Sequence, residues 1–377
     1  MATNDYVYAQ SSSDPSALSM LNKNDGSVAN TVSVTSNEIK SVETDFDGNI
    51  YVGTTGDEVV KYNSYFNEQW RVSNGAVNQI ILSKDLKQLY AGSFGVTAYD
   101  IDTGNIVWEN SEGYDSILDI TIGPEDYIYY SDQDSFAIRV DPGTGNTDST
   151  WEVEDGYQNK CGLTWIDGYF FVADNAGYLR KYSGWKGTKE FGKYYSDFIS
   201  NISRHEDGSI YIGDSNEDVW KIDSDGSVIW NVPASEDRDF IRSVSVDRDG
   251  SVYVGDAGGY IHKLNATDGS TEWESSNAGM SVYAGSISAF PKYDTYVDGL
   301  WFTKMDLSGT ATLSGNAAEN AKIIAIDEGN NRVAERTQAD ANGNWSLKAK
   351  GQPLHLIAQY TDSDGNKYSA TSYPFID

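Results

Sequence analysis

The chain has almost no cysteine. Cys161 stands alone in 377 residues, which excludes an internal disulfide framework and any thiolate metal cluster within one chain. It is read as a small buried apolar residue. Histidine is nearly as scarce, and His205, His262 and His355 stand far apart, in no ligand spacing. No run of about eighteen apolar residues occurs, so no membrane-spanning helix and no membrane insertion are expected. The start, MATNDYVYAQSSS, has neither the basic opening nor the apolar core of a secretory signal, so the chain is expected to be made in the cytoplasm without one. Basic residues are also few: 27 against 57 acidic ones leave a formal charge of −30 and a pI near 4.2. Such a surface repels polyphosphate, so nucleic acid is not expected as a partner. At ordinary ionic strength this charge strains the compact state, whereas at molar salt the Debye length is about 3 Å and the repulsion is screened. The balance points to a very salty medium, although Lys outnumbers Arg 18 to 9. A Gly-x-Ser-x-Gly elbow, a phosphate loop and a recognisable carboxylate pair are all missing.

What the sequence does have is repetition. Ile241 to Ser276 reads IRSVSVDRDGSVYVGDAGGYIHKLNATDGSTEWESS, four short apolar runs separated by polar turns. Asp249-Gly250 and Asp268-Gly269 supply the positive-φ turn chemistry of tight hairpins. An aromatic recurs in the second run of each unit, at Tyr8, Tyr51, Tyr90, Tyr129, Phe171, Tyr211 and Tyr253, every 39 to 43 residues. Another recurs in the fourth, at Trp70, Trp108, Trp151, Phe191, Trp230 and Trp273, every 38 to 43. Four strands per unit at this period predict a β-propeller.

The N-terminal unit begins at its second strand, and MSVYAGSISAF (280–290) is a first strand with no full unit after it. The late strand is expected to complete the blade begun at the N-terminus. The fold class is therefore all-β: a seven-bladed propeller over 1–290, closed so that no sheet edge is left at the junction. Eight blades, with Tyr296 in a further second strand, is the lesser alternative. From about Asp306 the rhythm changes to alternating strands such as KIIAIDE, NWSLKA and LHLIAQY. Residues 306–377 are predicted to form a small β-sandwich of the immunoglobulin or transthyretin type, after a connecting segment at 291–305.

AYDIDTGNIVWENS (98–111), with KIDSDGSVIWNVP and KLNATDGSTEWESS as further copies, resembles the repeat of the pyrroloquinoline-quinone-type propeller superfamily. The resemblance covers roughly residues 5 to 290 and implies that Trp70, Trp108, Trp151, Trp230 and Trp273 dock blade on blade. The superfamily holds quinoprotein dehydrogenases and non-catalytic scaffolds. The dehydrogenases have a vicinal cysteine pair, which is not found here. The C-terminal stretch, with SGTATLSG, AKIIAID and ADANGNWSL, resembles the carboxypeptidase-regulatory or transthyretin-like sandwich. It is also similar to C-terminal modules of structural proteins from tailed viruses of halophilic archaea.

The loops that join fourth to first strands and second to third strands should share one face, around the mouth of the central channel. The first set carries Tyr114, Tyr157, Tyr194, Tyr195, Phe198 and Phe240; the second carries Asp132, Asp174, Asp214 and Asp256. Rings that stack beside carboxylates that accept hydroxyl protons suit a sugar or another neutral polar ligand. The plainer account of the aspartates is that they recur because the repeat does. Acidic turns at Asp45 to Gly48, His205 to Gly208 and Asp247 to Gly250 resemble Ca²⁺ loops in part, but lack the closing bidentate Glu. Asx-turn chemistry accounts for them, and no metal or other cofactor is expected. Three N-glycosylation patterns, at Asn201, Asn265 and Asn344, add little in an Asn- and Ser-rich chain.

These readings predict a non-enzymatic virion surface protein of a halophilic archaeal virus: a capsid turret, decoration or tail-attachment protein. Its expected partners are other virion proteins, further copies of itself, and a host surface-layer protein or glycan. The alternatives are a quinone- or calcium-dependent oxidoreductase, and an intracellular or cell-surface propeller scaffold of a halophile.

Overall fold

The structure is a computed structural model. It describes the chain except residues 1–5, 12–13, 36, 46–48, 64, 74, 76, 84–86, 113–115, 134–135, 154–160, 167, 206, 235–239, 248–249, 276–286, 289–301, 306–309, 317–321, 328–331, 342–343, 351–353, 362–366 and 373–377. Contacts divide it into two units, Met1–Lys292 and Tyr293–Asp377.

Seven four-stranded antiparallel sheets make up the first unit, a seven-bladed propeller. Blade 1 holds Tyr6–Gln10, Ala17–Asn22 and Val28–Ser33, and its innermost strand is Ile287–Ser288 from the far end of the unit. Ser288 pairs with Tyr8 and Ile287 with Ala9, so the expected closure is present. Blades 2 to 7 follow in order, spanning 39–73, 79–110, 117–152, 162–194, 199–233 and 241–274, each a meander of consecutive strands.

The alternation within each second strand explains why blades stack. Tyr51 is buried on one face while Val52 is buried on the other, and Tyr253 and Val254 repeat the pattern. A sheet that is apolar on both faces can be satisfied only between two others. Between blades 6 and 7, Tyr211, Val219 and Trp230 of one meet Ile241, Val244, Val252 and Val254 of the other. Each such side chain contributes about 1.5–3 kcal/mol by leaving water.

Fourth-strand tryptophans dock onto the next blade, and in two blades a lysine joins them. Tyr51, Lys61 and Trp70 lie in register across three strands. The Trp70 Nε1–H and the Lys61 Nζ–H both donate to the Ile101 carbonyl of blade 3, each at 3.0 Å. Lys61 reaches there across the Tyr51 ring, 5.5 Å from its centroid. Blade 6 repeats this with Trp230 and Lys221, both on the Ala266 carbonyl of blade 7. Beneath each docked ring is a glycine with positive φ. A methyl group on Gly104 would stand 2.8 Å from Trp70, and one on Gly269 2.9 Å from Trp230. Trp108 sits over Gly145, Phe191 over Gly226, and Trp273 over Gly26 of blade 1. Trp151 docks differently. It packs edge-on against Tyr182 at 4.7 Å and Trp185 at 5.5 Å, while the Trp185 Nε1–H donates back to Ser149 Oγ at 2.7 Å.

The innermost strands are sheet edges, and side chains of neighbouring blades satisfy them. Ser41 Oγ accepts the Ile80 N–H at 3.1 Å, Asp119 Oδ2 the Leu163 N–H at 2.7 Å, and Asn201 Oδ1 the Val244 N–H at 3.0 Å. Asn201 is thus a buried structural residue in spite of its glycosylation pattern. In the other direction, Asn78 donates to the Ile117 carbonyl, Cys161 Sγ to that of Ile199, and Ser200 Oγ to that of Ile241. Cys161 is half-buried and hydrogen-bonded, more than the apolar filler expected of it.

The second unit contains two antiparallel sheets. One orders Phe302–Met305, Thr310–Asn316 and Asn344–Lys350; the other orders Arg332–Gln338, Lys322–Asp327, Leu354–Thr361 and Lys367–Ser372. Ile323, Ala339, Trp345 and Leu347 are buried in it.

Candidate functional site

Antiparallel meanders put the second-to-third hairpins and the fourth-to-first loops on one face of the ring. Of the residues the sequence singles out there, Tyr114 and Tyr157 lie outside the described residues. The rest separate into a buried set and an exposed set.

Asp132, Asp174, Asp214 and Asp256 end their second strands with no exposed surface at all. Each carboxylate accepts the backbone N–H four residues on, from Phe136, Tyr178, Asp218 and Tyr260, at 2.8 to 3.0 Å. This closes the hairpin as an Asx-type turn. The second oxygen meets a different donor in each of three blades, always six residues on. Asp174 pairs with the Arg180 guanidinium, Asp214 accepts the Trp220 Nε1–H at 2.9 Å, and Asp256 is 2.9 Å from His262 Nε2. The other ring nitrogen of the buried His262 is 3.5 Å from the Glu274 carboxylate. In blade 2 the position is Thr54, whose Oγ1 accepts the Gly56 and Glu58 N–H groups. These carboxylates face inward and hold hairpins, with no exposed surface at the channel mouth.

In the acidic turns of the opposite face, residues 46–48, 206 and 248–249 lie outside the described residues, and protein groups meet the described carboxylates. Asp45 accepts the Asn49 N–H and the Tyr51 hydroxyl, and Asp207 the Ser209 N–H. Burial works to raise the Asp207 carboxyl, but hydrogen bonds from Ser209 and the nearby His205 together hold it below its ordinary range. Among the described residues no three His, Cys, Asp or Glu side chains converge on one point.

The exposed set consists of aromatics. Tyr194, Phe198 and Phe240 are 54, 41 and 50% exposed, and the structure adds Tyr178, which the sequence reading did not single out, at 38%. Tyr178 and Tyr194 face each other across the third and fourth strands of blade 5, centroids 5.5 Å apart. The Tyr194 hydroxyl donates to Asp197, which raises its pKa. Tyr195 is half-buried instead: it packs on Trp220 at 5.8 Å and donates to the Gly226 carbonyl at 2.7 Å. Burial, helped by Asp225, pushes its hydroxyl up to about 12.

Phe198 and Phe240 take the same position in adjacent blades, one residue before the first strand. Their carbonyls accept the Ser215 and Ala257 N–H groups at 3.1 and 2.8 Å, which fixes the backbone that carries both rings. Two residues further, each first strand carries a bulge against its second strand, between Ile199 and Asn201 and between Ile241 and Ser243. The bulged residues are Ser200 and Arg242. Sequence reading missed Arg242, although a charge two residues after an aromatic at a strand start was a usable signal.

The fold and this face define a repeat propeller with internal docking residues and an aromatic loop surface. The chain belongs to the family described as outer membrane protein assembly factor BamB, whose model matches residues 133–338. The crystal structure of BamB from Moraxella catarrhalis is similar to it, with 17% identity, 92% of each chain covered and a TM-score of 0.51. At that identity the likeness concerns the fold. No curated protein matches the chain.

Proposed function

We propose that this chain is a non-catalytic binding platform: a rigid ring that recognises a surface partner through its aromatic loop face, with the second unit serving attachment or extension. The observation that carries this reading is the division of aromatics. The repeated rings are internal to blade docking, while Tyr178, Tyr194, Phe198 and Phe240 stay exposed on one face with their backbones tied down. Rigid, amphipathic rings bind with little loss of side-chain freedom.

The setting we propose is the surface of a virion of a halophilic archaeal virus, as a turret, decoration or tail-attachment protein, with a host surface-layer protein or glycan as target. The formal charge of −30 supports a salty medium, and the resemblance of the C-terminal stretch to haloarchaeal virus modules supports the particle. Mass spectrometry and electron microscopy of purified particles test this. Stoichiometric peptides from 1–377 and ring-shaped projections are expected, and particles lacking the protein overturn the assignment. The family match favours a second reading, a scaffold within an assembly complex. Recovery of a defined multiprotein complex from a high-salt host lysate would select it.

A further inference from the structure

The platform reading names a face but not the chemistry of what it takes. Phe198 and Phe240 stand at equivalent points of blades 6 and 7, with Ser200 and Arg242 at the equivalent bulges beneath them. The two bulges differ in how their polar groups are met. The Ser200 hydroxyl donates to the Ile241 and Gly213 carbonyls and is satisfied within the ring. The Arg242 guanidinium lies 5.8 Å from the Phe240 ring, and its Nε is buried with no hydrogen-bond partner among the described residues.

That contrast is informative in this chain. Acidic side chains outnumber basic ones by about two to one, and Lys23, Arg71, Arg139, Arg180 and Lys263 are all paired with carboxylates. Arg242 has no ion pair among the described residues. A buried N–H without an acceptor costs about 1–3 kcal/mol, and a cation with no carboxylate partner among the described residues, set at an aromatic rim, is suited to an anion from outside. Nε–H and one Nη–H form the edge of the guanidinium that matches both oxygens of a carboxylate. The rings of Phe198 and Phe240 offer flat apolar surface to the C–H face of a sugar.

We propose that the Phe198–Phe240–Arg242 shelf binds an acidic saccharide, a uronic-acid sugar whose ring stacks on the phenylalanines and whose carboxylate pairs with Arg242. The inference rests on the platform reading and specifies its ligand class.

Calorimetry with the full chain in molar salt, titrating trigalacturonate and its methyl ester, separates the two contributions. The acid is expected to bind about tenfold tighter than the ester, the share of a charge-assisted bond. Arg242→Gln should remove that preference by lowering the affinity for the acid to about that for the ester, and Arg242→Lys should restore part of it. The Phe198→Ala/Phe240→Ala variant should weaken both sugars, with an unfolding midpoint that matches the parent chain. Equal binding of acid and ester by the parent chain overturns the carboxylate assignment and leaves the aromatic platform standing. A triglutamate peptide that binds as well as trigalacturonate overturns the sugar assignment. No binding of any of the three probes overturns the acidic-saccharide assignment, and the particle setting is still judged separately by virion composition.

Discussion

Gly145 has φ +73°, and a methyl group built on it would stand 2.5 Å from the Trp108 ring. Gly208 has φ +85° and nothing within 4 Å of such a group. An alanine at either position adopts a left-handed backbone, which costs about 1–2 kcal/mol. At Gly145 it must also lift a tryptophan off the neighbouring blade. Gly145→Ala should therefore destabilise by about 3 kcal/mol or more and Gly208→Ala by about 1, as read from denaturant midpoints. Equal losses would show that Trp108 does not press on that turn.

The tyrosines give a second residue-scale expectation. Burial, the largest cause in each, pushes the Tyr8, Tyr129 and Tyr195 hydroxyls up to about 12. In the unfolded chain they titrate near 10, so the folded state holds these protons more tightly. Their contribution is complete below about pH 10 and is lost as the pH rises towards 12. Stability should fall through that window. Tyr195→Phe should flatten the fall, as followed by circular dichroism alongside ultraviolet absorbance of phenolate.

At the scale of the element, the hairpins show what a sequence reveals and what it hides. The buried aromatics of the second and fourth strands were legible because the repeat preserves them at a fixed spacing. Lys61 and Lys221 were not, because lysine reads as solvent-facing. Here the stem crosses a tyrosine ring while the ammonium reaches a carbonyl of the next blade. The aspartates were legible as a recurring position, but their direction was not. A carboxylate at a strand end can point to solvent or fold back onto its own turn, and spacing is the same in both cases. Arg242 was hidden for a similar reason, since a bulge shifts which face a residue takes and strand alternation cannot show the shift.

The pairing of Asp174 with Arg180 makes this testable, as both side chains are almost fully buried. Asp174→Asn leaves a buried guanidinium without its counter-charge and should cost about 3–5 kcal/mol. The double variant Asp174→Asn/Arg180→Met should regain part of that loss. Unfolding of both variants and of Arg180→Met alone completes the cycle. A double variant whose loss equals the sum of the two single losses would contradict a direct coupling between the pair.

At the scale of the whole molecule, the ring depends on contacts between the two ends of one long stretch of chain. Trp273 lies over Gly26 and donates to the Lys23 carbonyl at 2.9 Å. Lys23 Nζ is 2.5 Å from the Asp247 carboxylate, with both side chains buried, and Ile287–Ser288 pairs with Tyr8 and Ala9. Contacts so distant in sequence form late, because their loop entropy must be met before they contribute. Blade 1 should then be the least protected blade once the seam is weakened. Trp273→Ala removes a ring and a hydrogen bond at that seam, and Lys23→Met leaves Asp247 buried without this cation. In each variant, hydrogen exchange should rise first in 6–33 and 241–274, while the strands of blades 3 to 5 keep parent-like protection. Uniform loss across the blades would mean that the ring opens as one cooperative unit. Blade 1 would then be no weaker than the other blades, and the binding face would depend on an intact circle.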